Sequence, residues 1–134
     1  MSQQNVELVR AIYDALATSD GPGVISRMCP GIVWNEAENF PYADRNPYRG
    51  PEGILTGLFT RFGAEWDGFA AAPAEFLDAG DTIIVIGRYR GTYVATGDKL
   101  DSQFAHVWRI DDGKAVAFQQ FTDTLQAARV TGAS

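Results

Sequence analysis

The side chain with the clearest capacity for chemistry in this sequence is its single histidine, His106, in the stretch FAHVWRI. In a strand, alternation places His106 on one face together with Ser102, Phe104, Trp108 and Ile110. These bulky neighbours mark the core or pocket face, so the imidazole is predicted to point inward. Because an imidazole titrates near neutral pH, it is a candidate general acid or base. A buried histidine that only hydrogen-bonds a backbone carbonyl fits the same pattern, and periodicity leaves both interpretations open.

The last predicted strand, AVAFQQFTDT, adds a second polar group to the same interior. Phe118, Gln120 and Thr122 alternate inward if Asp123 caps the helix that follows. Gln120 is therefore a candidate hydrogen-bonding residue of the pocket.

Helices come first in the chain and must support these strands from one side. Residues 5 to 18 repeat apolar side chains at helical spacing, with Asn5 as the predicted N-cap. A short helix is predicted at residues 22 to 28 and a longer one at 51 to 63, each with a proline at its first turn. Between them, residues 31 to 37 are β-branched and aromatic, which predicts a short strand.

The second half of the chain changes to strand periodicity. Four extended segments are predicted, at residues 68 to 80, 81 to 97, 99 to 113 and 114 to 124. Gly-Asp and Asp-Gly pairs between them indicate tight hairpin turns, and residues 123 to 130 predict a closing helix. Helices followed by an antiparallel meander indicate an α+β fold, with residues 1 to 134 forming a single domain.

Composition excludes several classes of partner and cofactor. A net charge of −6 disfavours binding to nucleic acids and to anionic membranes, because proteins bind both through basic side chains. A lone cysteine and a lone histidine, with no metal-ligand spacing, predict neither a disulfide nor a metal site. No phosphate-binding glycine loop is present, so no cofactor is expected. The polar amino terminus lacks a secretory signal, which favours a cytoplasmic location.

The order of these elements resembles the NTF2-like superfamily, in particular its SnoaL-like and ketosteroid isomerase-like branch. The stretches VELVRAIYDAL, IVWNEAENFPY, YRGPEGI and FAHVWRIDDGKAVAFQQFTDT carry the resemblance, over residues 5 to 128. It implies a cystatin-like cone, with the N-terminal helices packed on the concave face of a curved mixed or antiparallel sheet and a pocket at the open end. Within this superfamily the fold does not determine the function.

The resemblance also implies a catalytic set. In ketosteroid isomerases the position matching His106 holds a protonated carboxyl group, and Tyr13 matches the tyrosine that stabilises the oxyanion. Asn35 stands where those enzymes have the aspartate base. Since asparagine accepts no proton, the expected chemistry has His106 as acid or base, with Tyr13 and Asn35 donating hydrogen bonds to an oxyanion. Glu36 is a candidate for the missing carboxylate, although a solvated position at the loop entry is equally open.

The family pattern extends to the pocket wall and to an oligomer. The predicted substrate-binding residues are Trp34, Glu36, Phe40, Tyr42, Phe59, Phe104, Trp108, Gln120 and Tyr89. Among them, Phe40 and Tyr42 belong to a long loop whose aromatic side chains either roof the pocket or cap the core. Gly87 is expected to leave room for a ligand. The outer face of the sheet would carry Ile84, Ile86, Ala105, Val107 and Phe121, which predicts a homodimer through the sheet.

Two classes of function fit these residues. The first is a cofactor-independent isomerase, cyclase or dehydratase that transfers a proton on a small apolar or carbonyl-bearing molecule. The second is a small-ligand-binding or accessory protein without turnover, because the same polar groups would orient a ligand. A protein-interaction domain of the nuclear-transport type fits less well, since the expected pocket retains polar groups.

Overall fold

A computed structural model describes residues 2–132 of the chain. The first helix, α1, spans Gln3–Ala17, and its buried side chains are Val6, Val9, Ile12, Tyr13 and Ala15. Its N-cap is Ser2, whose Oγ accepts a hydrogen bond from the Asn5 backbone N–H at 3.2 Å. The prediction of Asn5 as the cap is therefore wrong: Asn5 lies in the first turn, and its side-chain amide donates to the Gly80 carbonyl at 2.9 Å.

The remaining helices are short and lie close to their predicted places. Helix α2 spans Gly21–Ile25 and ends before residue 28, because the chain there has already entered the first strand. The predicted helix 51 to 63 is found as three consecutive pieces, namely α3 (Gly50–Ile54), a π-helical segment (Leu55–Phe59) and α4 (Thr60–Glu65). The last helix, α5, spans Thr124–Val130 and is capped by the Asp123 side chain, as predicted.

Six strands form one sheet in the order β2-β1-β6-β5-β4-β3. The strands are β1 (Met28–Asn35), β2 (Tyr48–Arg49), β3 (Trp66–Asp78), β4 (Thr82–Tyr93), β5 (Lys99–Asp111) and β6 (Lys114–Thr122). Only β1 and β6 run parallel, so the sheet is mixed. The long loop before β2 contains a 3-10 turn, Pro41–Arg45. The sheet is curved and unclosed, and α1 and α3 pack against it, which confirms the α+β cone.

The inner face of the sheet has the residues that alternation predicts. On β5 the buried side chains are those on the face of His106, and on β4 Val85 and Tyr89 are buried while Arg88 and Arg90 are exposed. On β6, Phe118 and Gln120 are buried. Alternation along the three central strands therefore directs His106 and its neighbours toward the helices.

None of the helices within residues 2–132 has the length and apolar character needed to cross a membrane.

Candidate functional site

A cavity of about 630 Å³ lies between α1, the helical segment from α3 to α4 and the inner face of the sheet. Small-ligand sites typically enclose about 300–1,000 Å³. The buried part of the wall combines the aliphatic side chains of Ala15, Val24 and Leu58 with polar and aromatic ones. The latter are Tyr13, Trp34, Glu36, Trp66, Tyr89, His106, Trp108 and Phe118. Exposed residues around Ser19 and Gly68 form the mouth. The cavity is thus large enough for a small organic molecule and is polar at its buried end.

His106 lies on the cavity wall, and both of its ring nitrogens are occupied by phenols. Nδ1 is hydrogen-bonded to the Tyr13 hydroxyl and Nε2 to the Tyr89 hydroxyl. Each phenol oxygen also accepts an N–H, from Trp108 Nε1 at 3.0 Å for Tyr13 and from Gln120 Nε2 at 2.9 Å for Tyr89. We call these five residues, all buried, the His106 cluster.

The His106 cluster is electrically neutral at neutral pH. Complete burial holds the pKa of the His106 imidazole well below its usual range. Burial likewise raises the pKa of the Tyr13 and Tyr89 phenols above their usual range. Desolvation penalises the charged forms, and within residues 2–132 the hydrogen-bond partners of the ring are two phenols, not carboxylates. The cluster therefore presents neutral donors and acceptors to the cavity.

A buried carboxyl group, Glu36, lines the same cavity just after β1 ends. Its Oε2 accepts the Trp34 indole N–H at 3.1 Å, and its side chain is nearly inaccessible to solvent. Its backbone is clamped by Asn46, whose side chain accepts the Glu36 N–H at 3.0 Å and donates to the Glu36 carbonyl at 2.8 Å. Burial raises the pKa of the carboxyl group to about 8, against the opposing effects of the Trp34 hydrogen bond and the Arg61 charge.

Of the predicted site residues, the structure brings seven to the cavity wall. These are Tyr13, Trp34, Glu36, Phe59, Tyr89, His106 and Trp108. Asn35 is not among the lining residues, because strand alternation puts it on the face opposite Trp34 and Glu36, and it is only half-buried. The polar group that the first strand presents to the cavity is the carboxyl group of Glu36.

Phe104 and Gln120 stand one layer behind the wall and do not line the cavity. Phe104 stacks on the His106 ring, with centroids 3.9 Å apart and planes at 11°. A Cβ at Gly87 would lie 2.6 Å from the Phe104 ring and 2.3 Å from the Ala72 carbonyl oxygen. The room that Gly87 leaves is therefore filled by Phe104, and the expectation that a ligand uses it is wrong.

The predicted roof residues Phe40 and Tyr42 also fall outside the cavity lining. Tyr42 donates its hydroxyl proton to the Glu65 carboxylate and accepts the Trp66 indole N–H at 3.1 Å. The Arg61 guanidinium lies 4.5 Å from the centroid of the Tyr42 ring. Both loop aromatics are buried, with Phe40 against the Tyr42 ring, and they pack the loop onto α4 instead of covering a guest.

Arg61 organises this second polar group, near the surface. Its guanidinium donates to the Asp44 carboxylate at 3.0 and 3.1 Å and to the Tyr48 hydroxyl. Tyr48 in turn donates to the Tyr42 carbonyl at 2.6 Å. We call Tyr42, Asp44, Tyr48, Arg61 and Glu65 the Arg61 cluster, which ties the loop before β2 to α4.

The sequence interpretation missed the helical side of the cavity. Leu55, Leu58 and Phe62 line it together with the predicted Phe59, and Phe69 from β3 adds to the same wall. The spacing of these helix residues is that of one helical face, so the period of residues 51 to 63 contained the signal.

Elsewhere in the described chain, the features that could hold a ligand are metal-ligating side chains and a second depression. Within residues 2–132 no group of three or more metal-ligating side chains is assembled. A shallower depression lies beside β1 and α3, but its polar side chains, Ser26, Arg49 and Glu52, are all exposed. The chemistry is therefore concentrated in the cavity that holds His106 and Glu36.

Comparisons with known proteins agree with this architecture. The family model of the SnoaL-like domain matches residues 9–118. An NTF2-like protein from Burkholderia thailandensis E264 is 41% identical over 97% of this chain and 98% of its own, with a TM-score of 0.90. An NTF2-like protein of unknown function from Burkholderia pseudomallei K96243 is 30% identical over 98% of both chains, with a TM-score of 0.87. TerC, co-crystallised with polyporic acid, is 27% identical over 97% of this chain and 99% of its own, with a TM-score of 0.87.

A search of curated proteins finds none that matches the sequence. The resemblance to the NTF2-like superfamily and its SnoaL-like branch is confirmed by the family model and the solved structures.

Proposed function

Because the chain belongs to the SnoaL-like domain family, we propose that its cavity binds a small carbonyl-bearing molecule and transfers a proton on it without a cofactor. Glu36 is the group that takes or gives the proton at carbon. The Tyr13 or the Tyr89 phenol donates to the carbonyl oxygen and stabilises the enolate. Isomerisation, cyclisation and dehydration next to a carbonyl all share this proton step.

The observation that carries the proposal is a buried carboxyl group and neutral phenols on the wall of one cavity. A pKa of about 8 puts Glu36 near the pH at which a general acid or base is most effective. The phenols hold fixed dipoles at the other polar part of the wall, where little water competes for the developing charge. A carboxyl group with this environment is also a frequent mark of an active site.

His106 supports this chemistry through the tyrosines. Both of its nitrogens are hydrogen-bonded to phenols, so neither is free to contact a guest directly. Its place in the reaction is therefore to orient Tyr13 and Tyr89 and to exchange protons with them. Asn35 has no direct part, because it lies on the far side of β1 from the cavity.

The cavity wall favours a flat, largely apolar guest. Indole and phenyl rings of Trp34, Phe59, Phe62, Phe69 and Phe118 surround the space, and Trp34 stacks on Phe118 with centroids 3.7 Å apart. Such walls gain from burying aromatic or cyclic surface. TerC, a relative that was co-crystallised with polyporic acid, makes that compound a suitable probe for this cavity as well.

The test is hydrogen exchange at the α-carbon of a bicyclic aryl ketone, 2-tetralone, followed by NMR in deuterated buffer. The protein is expected to accelerate exchange, and Glu36→Gln is expected to reduce the rate about 10³-fold. Glu38→Gln is the matched control, because Glu38 is exposed two residues away on the same loop. If 2-tetralone or polyporic acid binds tightly and no ketone exchanges, the cavity is a binding site without turnover, which the satisfied His106 cluster would also serve.

We further propose that two copies of the chain associate through the outer face of the sheet. Register aligns Leu77, Ile84 and Val107 in one row across β3, β4 and β5, and Ile86, Ala105 and Phe121 in the next row across β4, β5 and β6. Leu77 and Phe121 are 42% and 54% exposed in the single chain. A continuous apolar strip of this kind is typical of an interface between subunits.

Sedimentation of the protein at micromolar concentration measures the association. A dimer is expected for the unaltered chain, and a monomer for Phe121→Lys, which puts a charge on the most exposed side chain of the strip. Leu125→Lys is the control, because Leu125 is 59% exposed on α5 and lies outside the two rows. A monomeric unaltered chain would contradict the proposal.

A further inference from the structure

The two phenols on His106 compete for one acceptor. A neutral imidazole has one N–H and one bare nitrogen, so it accepts a hydrogen bond from one phenol and must donate to the other. The geometry makes both phenols better donors than acceptors toward the ring, because each phenol oxygen already receives an N–H, from Trp108 or from Gln120. The Gln120 amide is fixed in this orientation, since its Oε1 accepts the Ala37 backbone N–H at 2.9 Å.

One phenol proton is consequently left over in each tautomer. When Nε2 carries the hydrogen, Tyr13 donates to Nδ1 and the Tyr89 proton is free. When Nδ1 carries it, Tyr89 donates to Nε2 and the Tyr13 proton is free. Tyr13 and Tyr89 both line the cavity, so a molecule bound there is the expected acceptor of the free hydroxyl proton.

We propose that Tyr13, His106 and Tyr89 form a proton relay, in which the tautomer of the imidazole decides which phenol offers its proton to a carbonyl oxygen in the cavity. The part of this inference that concerns the bound molecule rests on the proposed function. The coupling between the three side chains does not depend on it. It makes Tyr89, together with Tyr13, a residue that contacts the reacting molecule, and His106 the positioning residue between them.

The relay transfers a proton without creating a buried charge. Starting from the Nε2–H tautomer, Tyr89 gives its hydroxyl proton to the enolate oxygen of the guest and takes the Nε2 proton. Nδ1 then takes the Tyr13 proton, and Tyr13 takes a proton from a second acidic position of the guest. Four bonds to hydrogen break, including the one at the second acidic position of the guest, and four form. The guest is an anion before and after, and the ring ends as the Nδ1–H tautomer. Neutral start and end states suit three side chains that are almost fully buried.

Because His106 is the only histidine in the sequence, ¹⁵N-histidine labelling reports on this ring alone. The chemical shifts of the two ring nitrogens at neutral pH show which one is protonated. In Tyr89→Phe the remaining phenol donates to Nδ1, so the Nε2–H tautomer is expected; in Tyr13→Phe the Nδ1–H tautomer is expected. Tyr93→Phe is the control and leaves the tautomer ratio unchanged, because the Tyr93 hydroxyl makes no side-chain hydrogen bond within residues 2–132.

Opposite tautomers in the two variants support the relay, whereas the same tautomer in both, or a charged imidazolium, overturns it. If a phenylalanine variant does not fold, Gln120→Met keeps every ring and tests the same coupling. Without the amide N–H, Tyr89 becomes the better acceptor, and the ratio is expected to move toward Nε2–H. An unchanged ratio in that variant overturns the relay as well.

The exchange assay with 2-tetralone gives a second, independent test. Each single phenylalanine variant is expected to lower kcat about 100-fold with little change in KM. The double variant is expected to be no slower than the slower single one, because either change interrupts the whole relay. Effects that multiply would overturn the relay. Absence of exchange in the unaltered protein would overturn the proposed function, while the nitrogen shifts would still decide the coupling.

Discussion

Two clusters of polar side chains in this protein use the same residue types in opposite ways. The His106 cluster and the Arg61 cluster each hold two tyrosines around one basic side chain. In the first, every member is buried and neutral. In the second, Asp44 has 54% of its side chain exposed, and Arg61 keeps its charge and pairs with it.

The difference shows how the basic partner selects the chemistry of a buried tyrosine, since the tyrosines of both clusters are buried. Beside a neutral imidazole, a phenol has a partner that can exchange a proton with it, and the cavity supplies a guest. Beside a guanidinium, which does not deprotonate in proteins, a phenol can only be held in place. We therefore expect the effect of a substitution on stability to depend on pH at Glu36, which titrates near neutral pH, and on salt in the Arg61 cluster.

The largest expected effect on stability comes from Glu36. Its pKa is raised from 4.5 to about 8 by burial, so the folded protein holds a proton that the unfolded chain releases above pH 4.5. The free energy of unfolding should therefore fall as pH rises from about 4.5 to 8, by on the order of 4 kcal/mol for this group alone.

Glu36→Gln should remove that fall, so the variant gains stability over the unaltered protein at pH 9 but not at pH 4. Urea unfolding at a series of pH values measures the difference, with Glu38→Gln as the control. Parallel curves for Glu36→Gln and the unaltered protein would mean that the pKa of the carboxyl group is the same in the folded and unfolded chain. The contrast between the buried cavity wall and the Arg61 cluster would then be weaker.

A smaller loss of folding stability is expected from Gly87→Ala, which tests how tightly the side chains around the His106 cluster are packed. The added Cβ would meet the Ala72 carbonyl oxygen at 2.3 Å and the Phe104 ring at 2.6 Å, and the backbone oxygen cannot move aside without disturbing the β3–β4 pairing. We expect a cost of about 2–3 kcal/mol in urea unfolding that does not change with salt. Gly31→Ala is the control, since a Cβ there meets nothing within 4 Å. Equal midpoints for the two variants would contradict the packing argument.

The strand period predicted well which side chains of the sheet point into the site, but not which residues contact one another there. The inward direction of His106 follows from alternation along β5. On β1, Trp34 points inward, so alternation directs the adjacent Asn35 outward and Glu36, two residues after Trp34, inward. Family position pointed to Asn35 instead. Alternation was the better guide there, because a shift of one residue moves a side chain to the other face of the sheet.

What the sequence could not supply was contact across elements. Tyr89 meets His106 only because β4 and β5 pair with Val85 opposite His106, a register that the hairpin fixes in three dimensions. The stacking of Phe104 on His106, which fills the space at Gly87, depends on rotamers that periodicity does not encode. The sequence left open whether the loop aromatics roof the cavity or cap the core, and hydrogen bonds to Glu65 and Trp66 draw Tyr42 toward α4.

Arg61→Ala tests the other side of the comparison. It removes the two hydrogen bonds to Asp44, the contact with the Tyr42 ring and the bond to Tyr48. Because the pair is partly solvated, the expected cost is about 1–2 kcal/mol in urea unfolding at low salt. The cost should shrink in 1 M salt, where exposed charges are screened. A cost that salt does not change would mean that Arg61 acts by packing, as the His106 cluster does.

The smallest effect is expected at the exposed pair of Arg88 and Asp101 on the outer face of the sheet. Arg88 Nε lies 2.7 Å from Asp101 Oδ1, a shorter contact than any in the Asp44 pair, yet both side chains are about half exposed. Arg90 stands 3.7 Å from the same oxygen and can replace the lost partner. Arg88→Ala should therefore leave the urea midpoint of the single chain unchanged. Arg88 follows Ile86 of the apolar strip along β4. If Arg88→Ala lowers the urea midpoint more at higher protein concentration, the pair lies inside the subunit interface. In that case burial, more than contact distance, sets the contribution of the pair to stability.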